Sequence, residues 1–287
     1  MKPNGDFYYN TMNDVLFKFI FGKEQRKHIT IDFLNAVLAE SLGHKIKNLF
    51  FASTEKSPRR RGGKGTRLDV VCTLDTRETV DIEVQVVNQK NMIQRSLYYW
   101  AQMYADSLTS HMDYDTLKSA IMVNIVNFAF LSKQSPHSIY DIRERETGER
   151  YSRDLEIHFL EVPKLLKNKA VREMNAIEKW LAYFSKHYDT QAKEEIAMSE
   201  PAIKDAMEAT EVFMANAKER YAYYNRERAI RDWNQSILAS RREGEKRGET
   251  RLGILMEKLL TAKRYNDARE AALDINRRKA LYEEFHL

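Results

Sequence analysis

The sequence predicts an α/β fold: a mixed sheet flanked by helices, with a helical C-terminal extension. Three observations predict it. Residues 79–87 alternate, with Val80, Ile82, Val84 and Val86 on one face and Asp81, Glu83 and Gln85 on the other. That period of two marks a half-buried strand. Residues 120–123 are apolar without a break, which fits a strand buried on both faces. The order of patterns is α-α-β-β-α-β-β followed only by helices, which a sheet with helices on its faces accommodates.

Residues 11–22 read as a short helix. Phe17, Ile20 and Phe21 form its stripe, Gly22 stops it, and Thr11 with Asp14 resembles a capping pair. Residues 29–42 read as a second helix, with Leu34, Val37, Leu38 and Leu42 inward and Gly43 at its end. Residues 53–65 are a loop by composition, and from Lys56 to Arg67 the chain has bases and no acid. A hairpin follows, its strands around 67–71 and 79–87, joined through Asp75-Thr76-Arg77-Glu78. Parity constrains it. If Asp69 opposes Glu83, opposed residue numbers sum to 152 and the loop holds an odd number of residues, such as 75–77. A two-residue turn at Thr76-Arg77 would put the acids on opposite faces, but the Asn-Gly or Asp-Gly signal for it is missing.

Residues 91–110 form an amphipathic helix rich in tyrosine. Residues 118–128 and 155–162 are strands, and the polar stretch 132–154 between them reads as an irregular connection. Pro163 opens a helical half, with 176–187 carrying Trp180, Leu181 and Phe184, then 201–220 and 222–239. Residues 241–249 are highly charged, with Gly244 and Gly248 in a helical context. Residues 252–287 are helical and polar, with Ile254, Leu255, Leu259 and Leu260 as a short stripe. This end has a weak core of its own and reads as a mobile extension or a partner-binding helix. The expected division is a domain over 1–185 and a helical region over 186–287.

The chain has 287 residues, enough for one large domain or one domain with an appendage. Its 47 Lys and Arg against 42 Asp and Glu give a net charge of +5, which permits nucleic-acid partners without demanding them. A single cysteine, Cys72, excludes a disulfide framework and a zinc knuckle, and it reads as core packing. With no signal-peptide pattern and no apolar run of about 20 residues, the expectation is a soluble cytoplasmic protein without membrane contact.

Asp14, Asp69, Glu83 and Gln85 are the candidates for chemistry. Acids on a sheet are solvated, paired or bound to a cation. Alternation alone is satisfied by solvated acids. Two acids on one face can also hold Mg²⁺, which takes oxygen ligands and keeps several waters. The carbonyl of Val84 is placed to add a third oxygen. A metal held this way polarises a phosphate and lowers the pKa of its water.

Several stretches carry a family resemblance. They are Asp14-Val15-Leu16-Phe17-Lys18-Phe19-Ile20-Phe21-Gly22, Arg67-Leu68-Asp69-Val70, Asp81-Ile82-Glu83-Val84-Gln85 and Arg95-Ser96-Leu97-Tyr98-Tyr99-Trp100-Ala101-Gln102-Met103-Tyr104. Pro136-His137-Ser138 and the run from Leu155 to Lys164 extend them. With these the chain resembles the recombination-promoting nuclease / putative transposase family of the PD-(D/E)xK nuclease superfamily, from about residue 10 to residue 185. The resemblance implies a restriction-endonuclease-like core that binds Mg²⁺ or Mn²⁺. Asp69 and Glu83 would be ligands, and Asp14 matches the first-helix acid, which as a first-turn acid also suits the helix dipole. Gln85 falls where the superfamily usually has lysine. An amide carries no charge and is no general base, so Lys18, Lys64 or Arg95 would supply the charge.

Arg95 and Tyr99, four apart, share a helix face, where Arg95 can hold a phosphate. Arg59, Arg60, Arg61, Lys64 and Arg67 form either a phosphate-binding loop or a solvated one. His28, His137 and His158 lack metal-ligand spacing. The expected function is a metal-dependent DNA endonuclease linked to recombination or mobile elements, with DNA as partner and a homo-oligomer compatible with it. The alternatives are a DNA-binding interaction protein with a degenerate site, and an enzyme acting on another phosphodiester such as RNA.

Overall fold

Two strands buried at every residue set the architecture, β6 (Ala120–Val126) and β8 (Leu155–Glu161). The computed structural model describes residues 9–53, 55–56, 66–108, 111–167 and 169–287. In chain order the helices are α1 (Asp14–Phe21), α2 (Lys27–Val37), α3 (Ala39–Leu42), α4 (Met92–Asp106), α5 (Ala176–Phe184), α6 (Thr190–Ser199), α7 (Pro201–Ala215), α8 (Ala217–Thr261), α9 (Tyr265–Leu273) and α10 (Ile275–Glu284). The remaining strands are β1 (Leu49–Phe51), β2 (Glu55–Lys56), β3 (Thr66–Arg67), β4 (Val70–Leu74), β5 (Thr79–Gln85) and β7 (His137–Asp141). One six-stranded sheet runs β1-β4-β5-β6-β8-β7, and β2 pairs with β3 as a short ribbon. The β5–β6 and β6–β8 pairs are parallel and the others antiparallel, so the sheet is mixed, as expected.

The hairpin has the odd-loop register. Val70 opposes Ile82, Val71 opposes Asp81 and Cys72 opposes Val80. Leu74 N–H bonds the Glu78 carbonyl at 2.9 Å, which leaves Asp75, Thr76 and Arg77 as the turn. Arg77 closes it at φ 83°, the left-handed residue that a three-residue hairpin loop requires.

Burial of β5 differs from the expectation. It is not half-buried: Asp81 and Glu83 are enclosed along with Val80 and Ile82. β5 is an inner strand with helices over both faces. Val80 and Ile82 join α1, α2, α5 and α7 in the main core. On the opposite face Met92 and Met103 of α4 pack with Met122, Ile157 and Phe159.

Other boundaries also move. Asn13, not Thr11, caps α1, its side-chain oxygen accepting from the N–H groups of Val15 and Leu16 at 3.1 and 3.4 Å. A Cβ at Gly22 would meet the Lys18 carbonyl at 2.8 Å, so the chain turns there only with glycine. The second helix breaks at Leu38, and α3 ends at Gly43 with φ 69°. Two edge strands were not anticipated. β1 is three residues long, too short for a period, and β7 is polar because an edge strand in the 132–154 connection needs only one buried side.

The chain forms two units, Met1–Glu227 and Arg228–Leu287. In the first, Trp180, Leu181 and Phe184 are buried as expected. α8 is continuous through Gly244 and Gly248. In the second unit Leu255 and Leu259 are buried with Ala268, Ala271 and Leu281, whereas Ile254 and Leu260 stay exposed. Among the described residues no helix is long and apolar enough to cross a membrane.

At the β7–β8 edge, His137 Nε2 lies 2.9 Å from His158 Nδ1 with the rings stacked. Glu156 stands beside them, 3.5 Å from His158 and 3.3 Å from Arg150, and accepts from Ser41. Burial, then the neighbouring His158 and Lys133, push His137 down to about 4, with Glu156 opposing. Glu156 falls to about 2 because the hydrogen bonds and charges of His158, Ser41 and Arg150 outweigh the burial that would raise it. An imidazole depressed on folding is protonated first in the unfolded chain. Stability should therefore fall between pH about 6.5 and about 4, by up to about 1.4 kcal/mol per pH unit from this group. Urea unfolding at pH 7, 6, 5 and 4 should show the wild type losing stability relative to His137→Phe as the pH is lowered, whatever the other groups contribute to both proteins. Equal slopes in both proteins would remove His137 as the cause.

Candidate active site

The break between β3 and β4 builds the site. Asp69 sits in the bend just before β4, at the position the register sets opposite Glu83. There side chains replace strand pairing. Asp69 N–H donates to Glu83 Oε1 at 3.0 Å, and Val84 N–H donates to Asp69 Oδ2 at 3.1 Å. Each acid thus fixes the other's strand.

The two remaining carboxylate oxygens are met by cations from two helices. Lys18 Nζ of α1 lies 2.9 Å from Asp69 Oδ1, and Arg95 of α4 lies 2.8 Å from Glu83 Oε2. The other arm of the Arg95 guanidinium donates to Gln85 Oε1 at 2.8 Å, and Gln85 Nε2 donates to the Val87 carbonyl at 3.3 Å. Arg95 also stands 5.1 Å from the centre of the Tyr99 ring, as their i,i+4 spacing predicts. A cleft of about 260 Å³ opens onto Asp69 and Lys18, with Lys23, Phe51 and Glu219 on its walls.

Burial dominates the electrostatics. It raises Glu83 to about 8, helped by the Asp69 charge and opposed by Arg95, the Asp69 N–H and Lys18. It raises Asp69 also, against Lys18 and the Val84 N–H, with Asp14 adding to the rise. Asp81 goes well above the carboxylate range through burial and then the charges of Glu83 and Asp69. Both Asp81 oxygens lack a hydrogen-bond partner among the described residues.

This donor set fits a hard divalent cation. Two desolvated carboxylates stand together, each bonded to one side-chain cation whose place a metal ion could take. Among the described residues no three His, Cys, Asp or Glu side chains come together around one ion position. Two carboxylates with water completing the shell is how Mg²⁺ is commonly held. The acids do not face solvent, contrary to the reading of the alternation. Amide variants are therefore the fitting replacements, because alanine would leave Lys18 or Arg95 unpaired beside a cavity.

The structure brings together Asp69, Glu83, Val84, Gln85, Lys18, Arg95 and Tyr99. Asp14 is held by Arg226 of α8, Oδ1 to Nε at 2.7 Å. Arg59, Arg60, Arg61 and Lys64 lie outside the described residues. Arg67 stands in β3 opposite Glu55, and its side chain also lies outside them. His28 is exposed and pairs with Asp205 at 2.8 Å. Cys72 is wholly buried, its thiol pushed up to about 12, and it is packing as expected. Sequence reasoning missed two residues. Asp81 was visible in the alternation but placed on an outer face. Arg226 had no local signal, since its partner lies 212 residues away.

The model of the PD-(D/E)XK nuclease family transposases matches residues 11–240. No curated protein and no solved structure gives a match.

A buried polar group without a partner costs about 1–3 kcal/mol, and an apolar replacement of similar shape removes that cost. Asp81→Leu should raise the unfolding free energy by about that amount in urea titration. A loss of stability would show that the carboxyl has a bonded partner in the folded protein.

Proposed function

The chain belongs to the PD-(D/E)XK nuclease family transposases, and on that premise we propose that it is a metal-dependent DNA endonuclease linked to recombination or mobile elements. The observation that carries this reading is the buried Asp69–Glu83 pair with Lys18 and Arg95 bonded to it. Asp69, Glu83 and the Val84 carbonyl would hold Mg²⁺ or Mn²⁺, which when bound polarises the scissile phosphate and acidifies a water.

The chain's own residues supply the rest. Lys18 is paired with Asp69 through a single contact and is part-exposed, so its ammonium can turn from the carboxylate to a phosphate oxygen. There it would stabilise the negative charge that grows as water attacks phosphorus and the opposite P–O bond breaks. Arg95 is a positioning residue. Its fork holds Glu83 and Gln85 together and fixes where the Glu83 oxygens point. Gln85 accepts from that fork, so it anchors the cation rather than taking a proton. Lys23 extends the positive wall of the cleft beside Asp69, a suitable path for a phosphate backbone.

A second reading is a DNA-binding protein with a degenerate site. It is favoured by Gln85, which brings no charge to the position. Binding of DNA without cutting, in either metal, would select it.

Supercoiled plasmid in Mg²⁺ or Mn²⁺ should be nicked or linearised by the wild type, and EDTA should stop the reaction. Asp69→Asn and Glu83→Gln should each lower the rate by about 100-fold or more. Cutting by either variant at the wild-type rate would sink the assignment, and preferential cleavage of an RNA of the same sequence would move it to RNA.

Gln85→Lys should slow single-turnover cleavage by about 10–100-fold, because an ammonium there repels Arg95 and displaces Glu83. A rate equal to or above wild type would mean that the site lacks charge and that Arg95 does not position it.

A further inference from the structure

A second cavity shares Arg95 with the acid pair but contains neither acid. It measures about 320 Å³ and is lined by Gln89, Asn91, Gln94, Arg95, Tyr98 and Tyr99. We infer that it receives an unpaired nucleobase of the DNA strand being cut, next to the phosphate at Asp69 and Glu83. This rests on the nuclease reading for the identity of the strand, but the cavity's own chemistry points to a base.

The walls carry three carboxamides and two phenol rings. Carboxamides pair with the donor and acceptor edges of bases, and aromatic faces stack on them. Gln89, Asn91 and Gln94 are exposed, and their side chains make no hydrogen bond among the described residues. Asn91 is the telling one. It stands at the N-cap of α4, yet its side chain does not cap the helix. Its amide is left to face the cavity.

A phosphate fits poorly by comparison. The sole cation in the wall is Arg95, and its two terminal nitrogens already bond Glu83 and Gln85. The floor is held in shape before any ligand arrives. Lys90 turns the chain at φ 58°, its N–H bonding Asn88 Oδ1 at 2.8 Å, so Gln89 and Asn91 flank a fixed corner. Tyr98 is 45% exposed, its ring tilted against Tyr99 at 6.2 Å and its hydroxyl accepting from Gln102 at 3.0 Å, so nearly half of its surface is accessible to a base. Bases stacked in a duplex offer edges but not faces, so a base reaching Tyr98 must be unpaired. Because Arg95 touches both the cavity and Glu83, that base belongs beside the scissile phosphate. The preferred substrate is then DNA with a single-stranded segment at the cut, such as a bubble, gap or flap.

The test uses the full chain in EDTA with single-stranded DNA carrying one 2-aminopurine, and a matched duplex. Anisotropy should show that Tyr98→Ala weakens single-strand binding by about 5- to 150-fold, and duplex binding by much less. The 2-aminopurine emission should change on binding wild type and Tyr98→Phe, which keeps the ring, but not Tyr98→Ala. Single-strand affinity unchanged in Tyr98→Ala, an equal loss for single strand and duplex, or no single-strand binding by wild type would each overturn the inference. Cleavage in Mn²⁺ is read separately. A wild type that binds through Tyr98 and never cuts leaves the base site standing and overturns the nuclease reading. One that cuts while Tyr98→Ala binds normally overturns the base site alone.

Discussion

Two carboxylates enclosed side by side are the constraint on which the rest of this structure depends. Each loses hydration on burial and each repels the other, a cost of several kcal/mol per ion unless bonds and charges replace the water. Here every oxygen of the pair has a replacement. Two come from backbone N–H groups, which lock β4 to β5, and two from Lys18 and Arg95. The set is electrically balanced without an added ion. Any metal held by Asp69 and Glu83 would have to share these oxygens with Lys18 and Arg95.

The need to deliver those cations explains the flanking helices. α1 must begin and end where Lys18 reaches Asp69, and the Asn13 cap and the close turn at Gly22 fix both ends. α4 must hold Arg95 over Glu83. Ser96 moors it by bonding Asn124 of β6 at 3.1 Å, and Asn124 in turn bonds the His158 carbonyl of β8. The position of Arg95 is thereby tied to the centre of the sheet through buried polar bonds, which are directional where apolar packing is not.

The start of α8 belongs to the same arrangement. Asn10 N–H bonds the Tyr223 hydroxyl at 2.8 Å, Asn13 Nδ2 bonds Glu227 Oε1 at 2.9 Å, and Arg226 holds Asp14. The cap of α1 is therefore completed by residues more than 200 positions away. The family match extends to residue 240 and takes in this segment, whereas the motif resemblance ended near residue 185.

The sequence by itself determined the mixed sheet, its inner strands, the odd hairpin loop and the pairing of Asp69 with Glu83. Those features are local or periodic: alternation, an apolar run, and a parity that any shift by one residue would reverse. It also placed Lys18 and Arg95 among the cations for the site. Only the tertiary structure decided that the acid face of β5 is covered, because alternation reports that two faces differ, not what packs on each. That coverage turns Asp81 from a solvated acid into a buried one without a partner. The edge strands β1 and β7 were illegible for a related reason, since three residues or a polar strand leave no period to read. The Arg226–Asp14 pair and the tyrosine-carboxamide cavity likewise arise where separate elements meet. Their chemistry depends on distances that no spacing along the chain encodes.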